Sequence, residues 1–352
     1  MKSVVRRPMT TALALVFLAV SAVWVQQEAA QGNQGKAKGR PLSDITIGTN
    51  VMAMTNPFMV DLVTGYKVFQ GMTNLHLLVT DGGDFEPEKQ VSAVENYIAQ
   101  GVDGILVQCI SIDTMKDTIK HAMDAGIPLG YYPHSNDVAS TTYFNYVEYD
   151  WGSQLGVEAS KWVKQKLGGK AKIINVETSV QQTAIERARG WRDVVNKECG
   201  AGNIKWVMIE ATNTEKGMAA VESALQANPD TNMVLAYDDD LGVGAYEAIM
   251  QSGLDTTKMF LGSCDGTSAA LDLVEKPNSV YRCSIGNDRF VTEIGFYWLQ
   301  NMVKCTVGLP YDNPFPITTI AIKPDNVKAY RSRKPVYTLD PQLVAYMNSH
   351  KK

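Results

Sequence analysis

The sequence predicts an α/β protein made of two doubly wound parallel-sheet lobes. Three observations point there. From residue 44 onward, short apolar runs alternate with amphipathic helical patterns, the beat of parallel strands joined by crossover helices. That beat restarts near "TTYFNYVEYD" (141–150), so two sheets are expected rather than one. The chain has 352 residues, 45% of them hydrophobic, which is enough for two cores of ordinary size.

In the first half, "ITIGTN" (45–50), "LHLLVTD" (75–81), "DGILVQC" (103–109) and "IPLGYY" (127–132) read as buried strands. The helical patterns 57–72, 87–101 and 114–126 separate them. In the second half, strands "KIINVE", "IKWVMIEA", "NMVLAY", "KMFLGSCD" and "SVYRCSIG" are spaced by four further helical patterns. A last helix, "VTEIGFYWLQNMVK", precedes an extended segment, "FPITTIAI" (315–322). The halves echo each other: "AQGVDGILVQ" and "QANPDTNMVLAYDD" each set a helix end, a turn and a strand in one order.

The start of the chain reads as an export signal. Lys2, Arg6 and Arg7 precede the uncharged run "TALALVFLAVSAVWV" (11–25), a positive start followed by an apolar region short for a membrane span. Residues 1–25 are assigned to this signal, with an uncleaved anchor as the alternative. Residues 26–43, polar and Gly-rich, are expected to be a flexible spacer. Net charge is −4 and no long basic run occurs, so nucleic acid is not an expected partner. The short "RSRK" (331–334) reads as part of a solvated tail. Five cysteines (109, 199, 264, 283, 305) form no paired spacing, and Cys109, Cys264 and Cys283 sit in strand-like runs as small hydrophobes.

Open parallel sheets bind ligands beyond the carboxyl ends of their strands. The strand-end residues here include Asn56, Asp81, Tyr132 with His134, Thr212, Asp238, Asp265 and Asn287. Most carry hydrogen-bonding groups. The run "YDDDL" (237–241) divides on that rule. Asp239 and Asp240 open a helix, where carboxylates meet unpaired N–H groups and the dipole. Asp238 ends the strand and faces the cleft. The spacing fits neither a calcium loop nor a histidine–zinc motif, and no cofactor or metal is expected. In "TNPFM" (55–59), Asn56 caps a helix and Pro57 suits its first position, while Phe58 can present a ring to C–H-rich sugar faces. In "AIERARGW" (184–191), Arg187 and Arg189 cannot share a helix face, so one is assigned to the surface and the other inward. "GSCDG" (262–266) resembles a nucleophile elbow, but the only later histidine is His350 in a charged tail, which argues against a hydrolase. No phosphate loop or dinucleotide fingerprint occurs.

Taken in order, "NPF", "GVDGILV", "AGIP", "ERARGW", "DDDLGVGAYEA" and "GSCDGT" resemble the ribose/galactose-type sugar-binding proteins of ABC importers, over nearly all of residues 44–322. The resemblance implies the type I periplasmic binding fold, with lobes at 44–145 plus 288–322 and at 146–287, and a tail at 323–352. It implies three hinge strands near 145–150, 283–287 and 318–323. It places Asn56, Phe58 and Met59 in the first lobe's half of a sugar site, Arg187 as a donor, Asp238 and Asp265 as hydroxyl acceptors, and Asn287 or Arg289 as a further polar contact. After the fourth strand, where the family often has Asp-Arg, this chain reads Pro133-His134. Around Thr212 no second stacking ring is found, which suggests a furanose, a small sugar or an acyclic polyol. The expected protein is a monomeric, non-enzymatic periplasmic solute-binding protein that hands a small sugar or polyol to an ABC transporter permease. The rivals are a sensor for a sugar-like autoinducer that docks to a chemoreceptor or kinase, a transcription regulator of the same architecture, and an exported hydrolase using Cys264. The regulator would need a DNA-binding helix pair where the signal stands.

Overall fold

A computed structural model describes residues 34–83, 85–132, 138–143 and 147–351. The export signal, the spacer up to residue 33, and His134 lie outside the described residues. The first lobe runs β1 (Thr46–Val51), α1 (Pro57–Thr73), β2 (His76–Asp81), α2 (Pro87–Gln100), β3 (Gly104–Gln108), α3 (Ile112–Asp124), β4 (Leu129–Tyr132) and the short β5 (Thr142–Tyr143). Its sheet has the order β2-β1-β3-β4-β5, and every pairing is parallel. β3 is buried along its whole length. Ile105 and Val107 pack with Tyr97, Ile119 and Tyr131 on one face, while Leu106 packs with Tyr66 and Trp298 on the other. That two-sided burial explains why the run reads as continuously apolar instead of alternating.

The second lobe runs α4 (Glu148–Lys166), β6 (Ala171–Glu177), α5 (Gln182–Cys199), β7 (Ile204–Glu210), α6 (Thr214–Ala227), β8 (Met233–Ala236), α7 (Asp239–Gln251), β9 (Phe260–Cys264), α8 (Ser268–Glu275) and β10 (Tyr281–Asn287). The chain then returns with α9 (Val291–Thr306), whose Trp298, Phe296 and Leu299 pack on the first lobe. β11 (Thr319–Ile322) follows. It pairs antiparallel with β10, giving the second sheet the order β11-β10-β9-β8-β6-β7. Residues 319–322 were expected with the first lobe and instead extend the second sheet.

Two further corrections concern the ends. The expected tail holds α10 (Val327–Ser332) and α11 (Pro341–Ser349). α10 packs Val327 and Tyr330 into the second core, and α11 packs Leu343 and Tyr346 into the first. The chain therefore crosses between the lobes a fourth time, over residues 333–340. The described part of the expected spacer is also docked. Gly35 N and Ala37 N donate to Cys305 O and Thr306 O at 2.9 Å each, the Gly39 N–H donates to the Tyr346 hydroxyl at 2.9 Å, and Ala37 and Leu42 are buried. All five cysteines are free. Among the described residues no helix is long and apolar enough to cross a membrane.

Candidate functional site

The carboxyl ends of both sheets face a common cleft. The first lobe contributes Asn56, Phe58, Met59, Phe85 and Tyr132, with Met52 behind them. Asn56 is the N-cap of α1; its side-chain oxygen accepts from Met59 N at 3.3 Å and Pro57 takes the first helical position. The cap turns the chain so that Phe58 and Met59, both nearly buried, look into the cleft. Tyr132 ends β4.

The second lobe contributes Gln181, Thr183, Arg187, Tyr237, Asp238 and Asp265. Arg187 projects from α5 into a buried network. Its Nε donates to Glu148 Oε2 at 2.5 Å, and one terminal nitrogen donates to Tyr237 O at 2.8 Å and to Asp265 Oδ1 at 2.9 Å. The guanidinium also lies 4.6 Å from the Trp151 ring centroid, a stacked cation–π contact. Arg189 points outward, where it pairs with Glu186 and covers Tyr149.

Asp238 caps α7 by accepting from Leu241 N at 2.9 Å. Asp265 follows β9 with φ at +122°, unusual for a residue with a Cβ, and such strain concentrates at binding sites. Burial and then repulsion from Asp240 push the Asp238 carboxyl up to about 7. Burial, then Asp265 and Asp239, push Asp240 up to about 7. Burial raises Asp265 well above the usual carboxylate range, with Arg187 opposing. Glu148 is raised by the same desolvation, again opposed by Arg187.

Not every expected residue reaches the cleft. Asp81 is exposed and ties down its own loop, accepting from Gly83 N at 2.7 Å and Met54 N at 3.0 Å. The Thr212 hydroxyl accepts from Lys216 Nζ at 3.3 Å, outside the cleft lining. Arg289 lies over Tyr297, 5.0 Å from the ring centroid, in a separate depression with Glu293 and Lys304. Asn287 is fully buried at the end of β10, behind the lining, and neither of its side-chain polar atoms has a partner among the described residues. His134 lies outside the described residues. The expectation of a ring-poor cleft is overturned: Phe85, Tyr132 and Tyr237 line it along with Phe58. With four rings in the lining, ring content does not favour a furanose or an acyclic ligand over a pyranose. Cys264 is fully buried, and its thiol is held well above its ordinary range by desolvation, which suits packing and not nucleophilic attack.

The sequence-based site does not include Met52, Phe85, Gln181, Thr183 or Tyr237 of the lining, nor Glu148 beside it. Glu148 sits in the first turn of α4, where an acid ordinarily reads as a dipole partner. Its oxygens instead accept from Tyr132 of the first lobe and Arg187 of the second.

The periplasmic binding protein domain family matches residues 47–304. The chain belongs to the periplasmic binding protein family. This binding protein is 27% identical to the ribose import binding protein of Bacillus subtilis over 262 residues, 74% of this chain and 82% of that protein. It is 31% identical to the galactofuranose-binding protein of Escherichia coli over 199 residues, 54% of this chain and 61% of that one. Among solved structures, the 5-methylthioribose transporter solute binding protein from Thermotoga lettingae superposes with a TM-score of 0.75 at 20% identity, covering 91% of this chain and 96% of that one. That likeness supports the two-lobed fold.

Proposed function

We propose that this chain is an exported solute-binding protein that captures a small polyhydroxylated ligand between its lobes and delivers it to an ABC importer permease. The observation that carries this is the composition of the cleft. Among the described lining residues the first lobe supplies rings and an amide but no charge, while Arg187, Asp238 and Asp265 all come from the second lobe. A ligand that satisfies both halves favours the closed form by contacts made only there. Carboxylates accept from hydroxyls in charge-assisted hydrogen bonds, which are stronger than neutral ones, while Phe58 packs against C–H faces. The relatives named for import of ribose and binding of galactofuranose support this role over a sensor. Binding requires no bond making, and the protein works as a monomer in the periplasm.

A thermal-shift panel of pentoses, hexoses and polyols tests this. A ligand at a hundredfold excess over its dissociation constant adds about 2.7 kcal/mol of stability. Asp265→Ala, which removes an acceptor from the second-lobe wall, is expected to abolish the shift. A panel with no shift from any polyhydroxylated compound would overturn the proposal.

A further inference from the structure

The fourth passage of the chain between the lobes, over residues 333–340, lies side by side with the second, which joins β10 to α9. At the second-lobe end the two are tied by Arg333. It donates to Asp288 O, and its guanidinium lies 4.0 Å from the Tyr330 ring centroid and 4.9 Å from that of Phe290. Tyr330 itself donates to Asn287 O at 3.0 Å. At the first-lobe end one carboxylate clasps both passages: Glu293 accepts from Phe290 N at 2.8 Å and from Val336 N at 2.9 Å. Beyond Val336 the chain is held along α9. The Tyr297 hydroxyl donates to Val336 O at 2.9 Å, and Asp340 pairs with Lys304 at 2.8 Å. Tyr337 donates to the Thr292 hydroxyl at 2.9 Å and packs its ring on Phe296. Between Arg333 and Val336 only Lys334 and Pro335 are left, both exposed. None of these residues lines the cleft.

We infer that this fourth passage is a strap that limits how far the ligand-free cleft opens. The inference rests on the solute-binding role proposed above, in which the lobes open and close about a hinge. Opening turns one lobe against the other, so every segment that passes between them has to bend or lengthen. Three links of chain join Arg333 to Val336, and fully extended they reach about 10 Å. Pro335 fixes its own φ and holds Lys334 in extended backbone, so the strap gives little by bending. Its ends are anchored in the two cores. On the second lobe α10 buries Val327 and Tyr330, and Arg331 pairs with Asp272 and Glu275. On the first lobe α11 buries Leu343 and Tyr346. A cleft held to a narrower range of angles spends more of its time near the binding-competent arrangement, and apparent affinity rises with that fraction. The strap thus works on affinity without touching the ligand.

Spin-label distances in the whole, ligand-free protein test the inference. Labels at Met54→Cys, in the loop after β1, and at Val180→Cys, in the loop after β6, sit on exposed positions at the carboxyl ends of the two sheets and report the opening. Cys199, the one cysteine that is not buried, is replaced by Ser. A Gly/Ser hexapeptide inserted between Lys334 and Pro335 lengthens the strap and leaves α10 and α11 docked. It is expected to broaden the distance distribution and shift its mean outward by about 5 Å, less than the slack of about 13 Å that such a linker adds. The same hexapeptide between Gly168 and Gly169, in a turn of the second lobe, is expected to change nothing. Arg333→Ala unties the strap from Asp288 at unchanged length and is expected to broaden the distribution less. Identical distributions for the strap insertion and the parent overturn the inference, and so does equal broadening from the insertion at Gly168. Should the strap insertion fail to fold, an Arg333→Ala distribution that matches the parent overturns it. The readout needs no ligand, so a sugar panel without a thermal shift counts against the solute-binding role alone and the distances judge the strap separately.

Discussion

Glu148 and Arg187 form a buried ion pair at 2.5 Å, each side chain 5% exposed. The same carboxylate accepts from the Tyr132 hydroxyl across the cleft. Glu148 therefore anchors Arg187 in the second lobe and touches the first just after the chain passes between them. Removing one partner of a buried pair leaves the other charge stranded, at a cost of about 3–5 kcal/mol. Glu148→Ala is expected to lose stability on that scale in urea denaturation, and to weaken ligand binding because Arg187 loses its seat. Glu148→Gln keeps a hydrogen bond to Nε and is expected to lose less. Equal stability of Glu148→Ala and wild type would show that the pair holds nothing in place.

Asp239 predicts a different loss. It is 1% exposed and accepts from the Ser263, Tyr281 and Ser284 hydroxyls and from both the backbone and the hydroxyl of Thr267. These tie the start of α7 to β9, β10 and the loop after Asp265. Burial raises its carboxyl, and the donors oppose that. Asp239→Ala strands several buried donors at about 1–3 kcal/mol each before relaxation, so the variant is expected to unfold well below wild type in a thermal melt. Asp239→Asn keeps the shape but replaces one acceptor with a donor, and is expected to fall between them.

The contrast between these two acids shows what the sequence made legible. The strand–helix beat identified the core of both lobes, because β3, β8 and β9 are buried along their length and so read as unbroken apolar runs. Asn56, Phe58, Met59, Tyr132, Arg187, Asp238 and Asp265 were reachable from the strand-end rule and the motifs, since each sits within a few residues of a strand end or on the helix that follows. Asp239 was read as a helix-start acid because its partners lie 24 to 45 residues away. Glu148 escaped for the same reason: its partners, 16 residues back and 39 ahead, come from two different elements. Asp81 obeyed the strand-end rule but lies at the end of the edge strand β2, away from the cleft. The sheet membership of residues 319–322 depends on a crossing that periodicity does not report.

The pH dependence follows from Asp238 and Asp240. Their carboxyls rise from 3.8 to about 7 on folding. Between those values the folded chain holds more protons than the unfolded one, so their contribution to stability is full below about pH 4 and is lost as pH rises through about 7. The ligand-free protein is expected to lose melting temperature between about pH 5 and about pH 8. Asp238→Asn removes one of the two groups, so its melting curve is expected to be flatter, with its advantage over wild type at the alkaline end. Parallel curves for the two proteins would show that Asp238 does not titrate in this window.

Arg187 also depends on the close crossing of α4 and α5. A Cβ at Gly152 would lie 1.8 Å from the Arg187 carbonyl oxygen, and one at Gly190 would lie 2.2 Å from Tyr149 O. Backbone meets backbone there, so no side chain can move aside. Gly152→Ala forces the helices apart beneath Trp151 and Trp191, both fully buried. Overpacking of this kind costs about 1–3 kcal/mol, sometimes more. Because Arg187 is the residue pushed, ligand affinity is expected to fall as well. Gly156→Ala, one turn away on α4, meets the Trp191 Cα at 2.8 Å and is expected to cost stability with a smaller effect on affinity. Denaturation and calorimetric titration of both variants separate the two effects, and equal losses of affinity would refute a specific link between Gly152 and the seat of Arg187.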